Sequence, residues 1–124
     1  RITDQPVACE LAIDALVGYS LRGAPRGPTE RLVEVFEGQP LTLSLDTPSG
    51  IDVTTGNAPG AFVTADATMT LALPKSGLRD HAAVGRLLLA DISVPRSVTS
   101  RLGGAPDFRA SPLLELLGEA GGPP

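Results

Sequence analysis

The sequence predicts an α/β fold in which a mostly parallel sheet is covered on both faces. Three observations predict it. Short strand-like runs recur at 10–16, 41–46, 67–73 and 85–92, and runs that are apolar throughout belong to strands buried on both sides. Segments with helical spacing or with clustered Gly and Pro lie between them, as the connections of such a sheet require. Three acids, Asp14, Asp46 and Asp91, stand at or just before the ends of three runs. Ligands of a parallel sheet sit outside the carboxyl ends of its strands, so these acids are expected to gather along one rim.

The elements follow in order. ELAIDAL (10–16) is an apolar run broken by Asp14 and reads as a buried strand ending near the acid. Residues 17–28, VGYSLRGAPRGP, hold three Gly and two Pro and form a loop. In TERLVEVFEG, Leu32, Val33, Val35 and Phe36 are at helical spacing; Thr29 is expected to cap this helix and Gly38 to end it. LTLSLD alternates as a strand does, and ATMTLAL (67–73) and GRLLLADI (85–92) are further strands. A short helix is expected from Leu78 to Val84, and a helical turn or two over 95–103. Ser111 followed by Pro112 is a helix start, so PLLELLGEA is expected as a short amphipathic helix. The closing GGPP is expected to fray.

Composition narrows the function. The 124 residues suit one domain, and 42 % hydrophobic content argues against disorder. A net charge of −4 without a basic run excludes a nucleic-acid binder from the leading readings. No apolar stretch approaches the ~20 residues of a membrane span. The lone Cys9 allows no internal disulfide and fits a reducing compartment, so a cytoplasmic location is expected. Within its apolar run Cys9 is expected to be a buried, inert thiol. The chain opens on Arg1 rather than Met and reads as a processed chain or a piece of a longer one. Lys75 is the only lysine beside nine arginines.

Three segments carry residues suited to chemistry. In the loop 18–28, Gly18 and Gly23 allow close backbone approach, Arg22 and Arg26 can face an anion, and Tyr19 can stack on a ring. It is neither a Walker loop nor a Gly-x-Gly-x-x-Gly motif, and a plain connection is its bland reading. In LSLDTPSGIDVTTG, Pro48 and Gly50 stiffen a corner that displays the Asp46 carboxylate and the Ser49 hydroxyl. These are hard oxygen ligands for an alkali or alkaline-earth cation; Asp46 can equally bond a ligand hydroxyl or act as a general acid or base. A turn that satisfies its own backbone is the alternative. Lys75, just after a strand, can meet a phosphate as a point charge, though a solvated lysine is commoner. His81 has no Cys or acid at ligand spacing and receives no role.

Four segments taken together resemble one family. IDALVGYSLRGAPRGP is similar to Asp-Ala-Leu-x-Gly-Thr-Gly-x-x-Gly-x-x-Arg-x-Pro, and LSLDTPSGIDVTTG to Asp-Ile-Pro-Ser-Gly-x-Asp-x-x-x-Gly. ADATMTLALPKSGL resembles Ala-Asp-x-Thr-x-Thr-Phe-x-x-Pro-Lys-x-Gly, and GRLLLADISVP resembles Gly-x-x-x-x-x-Asp-Ile-Gly-Ile-Pro. The family is the NAD(P)H-hydrate epimerases, the YjeF N-terminal domain, and the resemblance covers residues from about 9 to 96.

The resemblance implies a Rossmann-like three-layer sandwich. It implies repair chemistry, the interconversion of the R and S forms of hydrated NADH or NADPH (NAD(P)HX), with a bound potassium ion. By motif match, Asp14 and Ser49 are potassium ligands. Asp46 contacts the hydrated nicotinamide ribosyl part and is the residue expected to handle protons. Gly18, Tyr19, Ser20, Leu21, Arg22, Gly23 and Ala24 are expected to cradle the phosphates, and Lys75 to shape the site edge. The family's Thr-Gly is Tyr19-Ser20 here, which suits the alternative of a non-catalytic nucleotide-binding or protein-interaction module. The family's Asn-Asn-Gly-Gly-Asp-Gly loop does not occur before residue 9, so residues 1–104 read as the C-terminal half of the domain and 105–124 as a tail with a short helix, a possible linker. The unpaired edge this leaves is expected to meet the N-terminal half or a second copy in a homo-oligomer.

Overall fold

The computed structural model describes residue 5, residues 7–102 and residues 106–116. Five strands form one sheet in sequential order: β1 (Ala12–Asp14), β2 (Thr42–Leu45), β3 (Ala67–Leu71), β4 (Arg86–Ala90) and β5 (Leu113–Glu115). The first four are mutually parallel, and β5 runs antiparallel to β4. Helix α1 (Pro28–Glu34) connects β1 to β2, and α2 (Arg96–Thr99) lies between β4 and β5. This is the mixed α/β architecture that the alternation of runs and loops predicts.

The polar residues of the strands face inward. Thr42 and Ser44 of β2 and Thr68 and Thr70 of β3 are buried, whereas Leu43, Leu45, Met69 and Leu71 are half-buried. The register aligns Asp14, Ser44, Thr68 and Leu87 across four strands on the buried face. The core packs on that face, from Ile51, Leu78, Ala83, Val84 and Leu87, with Leu116 against it. Ile51, Leu78, Val84 and Leu87 each contribute on the order of 1.5–3 kcal/mol. The hydroxyls need partners in that environment: Thr68 Oγ1 donates to the Val84 carbonyl at 2.8 Å. The opposite face includes Ile13, 55 % exposed at the outer edge of β1.

Several local expectations are corrected. Helix α1 has Gly27 rather than Thr29 at its N-cap, with no side-chain cap bond; Pro28 takes the first helical position, where its missing N–H costs nothing. The helix 78–84 is instead two 3-10 turns, Ser76–Leu78 and Ala82–Val84, because His81 between them is extended and its side chain accepts from the Ala83 N–H. The expected C-terminal helix from Pro112 is the strand β5. The free edge of β4 offers Leu113–Glu115 a ladder, extended by Asp91 N–H to the Pro112 carbonyl and Leu116 N–H to the Leu87 carbonyl, both 2.8 Å. Residues 117–124, including the end of that helix and the fraying GGPP, lie outside the described residues, as does the 104/105 boundary. Cys9 is exposed rather than buried, its thiol 3.3 Å from Gln39 Oε1, because the chain before β1 lies outside the sheet. The turns over 96–102 form as expected, α2 running on into the 3-10 turn Ser100–Leu102. Among the described residues no helix is long and apolar enough to cross a membrane.

Candidate functional site

The ends of β1 and β2 are joined through Asp14. Its side chain is fully buried. Oδ2 accepts the Ser44 hydroxyl and the Ser49 N–H, both at 2.8 Å. Oδ1 accepts the Ser49 hydroxyl at 2.6 Å and the Leu16 N–H at 3.3 Å. All four donors are neutral, and none of the ion pairs among the described residues includes Asp14. A buried carboxylate held only by neutral groups is electrostatically unbalanced.

Ser49 links that carboxylate to the loop. Its Oγ accepts the Val17 N–H at 3.0 Å and lies 3.4 Å from the Val17 carbonyl oxygen. A carboxylate, a hydroxyl and a backbone carbonyl therefore converge at one point, a donor set of hard oxygens that fits a weakly polarising cation. Among the described residues there is no group of three His, Cys, Asp or Glu side chains able to hold a metal ion.

The corner after β2 is built by its own sequence. Gly50 has φ of +101°, and a Cβ there would stand 2.3 Å from the Ala61 carbonyl oxygen. The Val63 N–H bonds the Ser49 carbonyl at 2.8 Å, fastening the corner to the following segment. Thr47, Pro48, Ser49 and Gly50 are all buried.

Asp46 sits at the start of this corner with φ of +70°, a left-handed conformation in which non-glycine residues are uncommon and which often marks functional positions. Its Oδ1 pairs with Lys75 Nζ at 2.6 Å, with side chains 21 % and 17 % exposed. Lys75 Nζ also donates to Thr70 Oγ1 at 2.7 Å and to the Leu71 carbonyl at 3.3 Å. The other oxygen, Oδ2, lies 3.3 Å from where a Cβ on Gly18 would stand. A side chain at position 18 would press on this oxygen, and the carboxylate would have to give by a few tenths of an ångström.

The loop 18–24 divides. The Leu21 N–H bonds the Gly18 carbonyl at 3.3 Å, closing a turn. Tyr19, Ser20, Leu21, Arg22 and Gly23 line a cavity of about 430 Å³ against Asp52, Val53 and Thr54, within the size range of small-molecule sites. Tyr19 is 73 % exposed at its mouth. Ala24 lies away from it, packed against Gly60. Asp52 accepts the Thr54 and Thr55 N–H groups at 2.9 Å, and the Thr55 N–H above all holds its carboxyl below the usual range.

Two expectations change here. Asp91 follows β4 at the same carboxyl-end rim, but it is exposed and bonds neither Asp14 nor Asp46 among the described residues; it accepts the Ser93 N–H at 2.7 Å, a turn of its own. Lys75 is neither solvated nor waiting for a phosphate; all three of its donors are taken. Sequence reasoning missed Thr70 and Ser44, whose signal was their place on the same face of alternating strands. His81 is structural: Nδ1 accepts from Ala83, leaving Nε2–H to donate to the Gly56 carbonyl at 2.9 Å.

Comparison with known proteins gives the family and the fold of the chain. The family model described as "YjeF-related protein N-terminus" matches residues 2–77. The chain is 42 % identical over 95 residues to the NAD(P)H-hydrate epimerase of Dehalogenimonas lykanthroporepellens, covering 76 % of this chain and 38 % of that one. It is 40 % identical over 107 residues to the NAD(P)H-hydrate epimerase of Truepera radiovictrix, covering 86 % and 49 %. The crystal structure of yeast ynu0 superposes with a TM-score of 0.65 at 23 % identity, over 84 % of this chain and 45 % of that one. It shares the Rossmann-like α/β fold. The chain thus spans less than half the length of each of these relatives.

Proposed function

The chain belongs to the family of YjeF-related protein N-termini, and from that premise we propose that it serves the repair of hydrated nicotinamide nucleotides by interconverting the R and S forms of NAD(P)HX. The observation that carries this reading is the condition of Asp46. Its backbone is held at φ +70°, one carboxylate oxygen is pinned by Lys75, and the other faces the glycine that opens the loop. Inverting the hydroxyl-bearing carbon of such a substrate needs a proton given to the departing hydroxyl, which leaves as water. A proton is then taken from the water that returns on the opposite face, so atoms and charge balance. Asp46 Oδ2 is the group we assign to the second transfer, as the base toward the returning water, with solvent supplying the first proton and receiving the second from Asp46.

The cavity lined by Tyr19–Gly23 supports the phosphate role of the loop; Gly18 approaches Asp46, and Ala24 serves as packing beneath it. For the cation we propose potassium, held by Asp14 Oδ1, Ser49 Oγ and the Val17 carbonyl. It would supply the positive charge that the buried carboxylate lacks and stiffen the junction between the loop and the corner. Residues 1–104 are proposed as the C-terminal half of the domain. Residues 105–124 are proposed as a tail and possible linker, of which Leu113–Glu115 pairs with β4 as β5. We assign the exposed outer edge of β1 to the N-terminal half, with a homo-oligomer as the alternative, and the protein to the cytoplasm.

The test is direct. The protein is incubated with one epimer of NADHX or NADPHX, and the approach to the equilibrium mixture is followed by chromatography. Asp46→Asn is expected to slow it by about 10²- to 10⁴-fold. Equal rates for the two proteins would remove Asp46 from the chemistry. A non-catalytic module is favoured by the exposed Tyr19 at the cavity mouth; binding of NADPH without any epimerisation would establish it.

A further inference from the structure

We propose that Lys75 is a positioning residue that sets the orientation of the Asp46 carboxylate, so that Oδ2 and not Oδ1 meets the ligand. The proposal rests on the reading of Asp46 as the proton-handling group. Lys75 and Asp46 follow neighbouring parallel strands, β3 and β2, so the pair ties two adjacent strand ends together across the rim. The ammonium donates to Asp46 Oδ1 at 2.6 Å, to Thr70 Oγ1 at 2.7 Å and to the Leu71 carbonyl at 3.3 Å. An ammonium has three protons, so none remains for a ligand. That separates Lys75 from a catalytic role and from phosphate binding.

Thr70 is fully buried, and its hydroxyl with the Leu71 carbonyl fixes where Nζ stands. Nζ in turn fixes Oδ1. Among the described residues Oδ2 accepts no hydrogen bond, and it faces Gly18 at the head of the loop. The left-handed backbone of Asp46 aims the side chain at this rim. Without the lysine the carboxylate is free to turn about its last side-chain torsion, which is broad for a carboxyl group. Proton transfer depends on that orientation, and misplacement on the scale of an ångström costs about 10²-fold in rate.

The test compares Lys75→Met, Lys75→Arg and Thr70→Val in epimerisation kinetics, with thermal melts of each. Lys75→Met is expected to lower kcat by about 10²-fold while KM stays within about twofold. Lys75→Arg keeps the charge but not the three-way geometry and is expected to recover part of the loss. Thr70→Val is expected to lower kcat by a smaller factor. An unchanged kcat in Lys75→Met, or a loss confined to KM, overturns the proposal. If Lys75→Met does not fold, Lys75→Arg and Thr70→Val decide by the same kcat criterion. If the unaltered protein epimerises nothing, the functional reading fails and crystal structures of it and of a folded Lys75 variant decide. A rotated Asp46 carboxylate then supports the positioning role, and an unmoved one overturns it.

Discussion

Ser49 donates both its N–H and its hydroxyl to the carboxylate of Asp14, at 2.8 and 2.6 Å, across 35 residues of sequence. Both partners are fully buried. This junction binds the end of β1 to the corner after β2, and Ser49 extends it to Val17.

Ser49→Ala keeps the N–H bond but removes the hydroxyl, so Asp14 loses one donor and the Val17 N–H its acceptor. Hydrogen bonds to a charged group are worth about 1.5–3 kcal/mol. Urea unfolding is expected to show a loss of that size. An unchanged midpoint would mean that water replaces the hydroxyl.

The hard-oxygen cluster predicts an effect of the cation on stability. Melting in potassium chloride is expected at higher temperature than in choline chloride of equal ionic strength. The gain is about 2.7 kcal/mol once potassium reaches a hundred times its dissociation constant. Asp14→Asn should abolish the difference. Identical melts of the unaltered protein in both salts would exclude a specific cation.

Gly50→Ala forces a side chain into φ +101° and against the Ala61 carbonyl oxygen, 2.3 Å from the new Cβ. Backbone strain alone costs about 1–3 kcal/mol, and overpacking adds about as much again. The variant is expected to be recovered largely insoluble, or to melt far below the unaltered protein. A melt within two degrees or so would show that the corner can reshape.

Asp52 provides a pH test. The Thr55 and Thr54 N–H groups favour its charged form and lower its folded pKa. The stabilisation it contributes is therefore present above the unfolded value, about 3.9, and is lost as pH falls through the folded one. Asp52→Ala should lower the melting temperature more at pH 7 than at pH 3. An equal loss at both values would show that charge plays no part in this turn.

Much of the architecture was legible because it is local. The apolar runs, the Gly- and Pro-rich loop before α1 and the stiff corner at Thr47–Gly50 all declare themselves within a few residues, through side-chain period and restricted backbone angles. The acids Asp14 and Asp46 at strand ends were visible in the same way. The expectation failed where a distant partner outweighed the local preference. Ser111-Pro112 signals a helix start, yet the open ladder of β4 draws Leu113–Glu115 into a strand. The alternation in LTLSLD is genuine, but which face is buried depends on what packs there. The layer carrying Ile51, Leu78 and Val84 covers the hydroxyl side and leaves the leucines half-buried.

The sequence by itself determined the strand-end carboxylates, the glycine-bearing loop and the rigid corner, since each is a property of a short stretch of backbone and its side chains. Only the tertiary structure decided that Lys75 meets Asp46, that Ser49 and Ser44 surround Asp14, and that Asp91 spends its carboxylate on its own turn. Those pairings depend on strand order and register, which bring residues some 30 positions apart within hydrogen-bond reach. No local preference encodes a distance across a sheet.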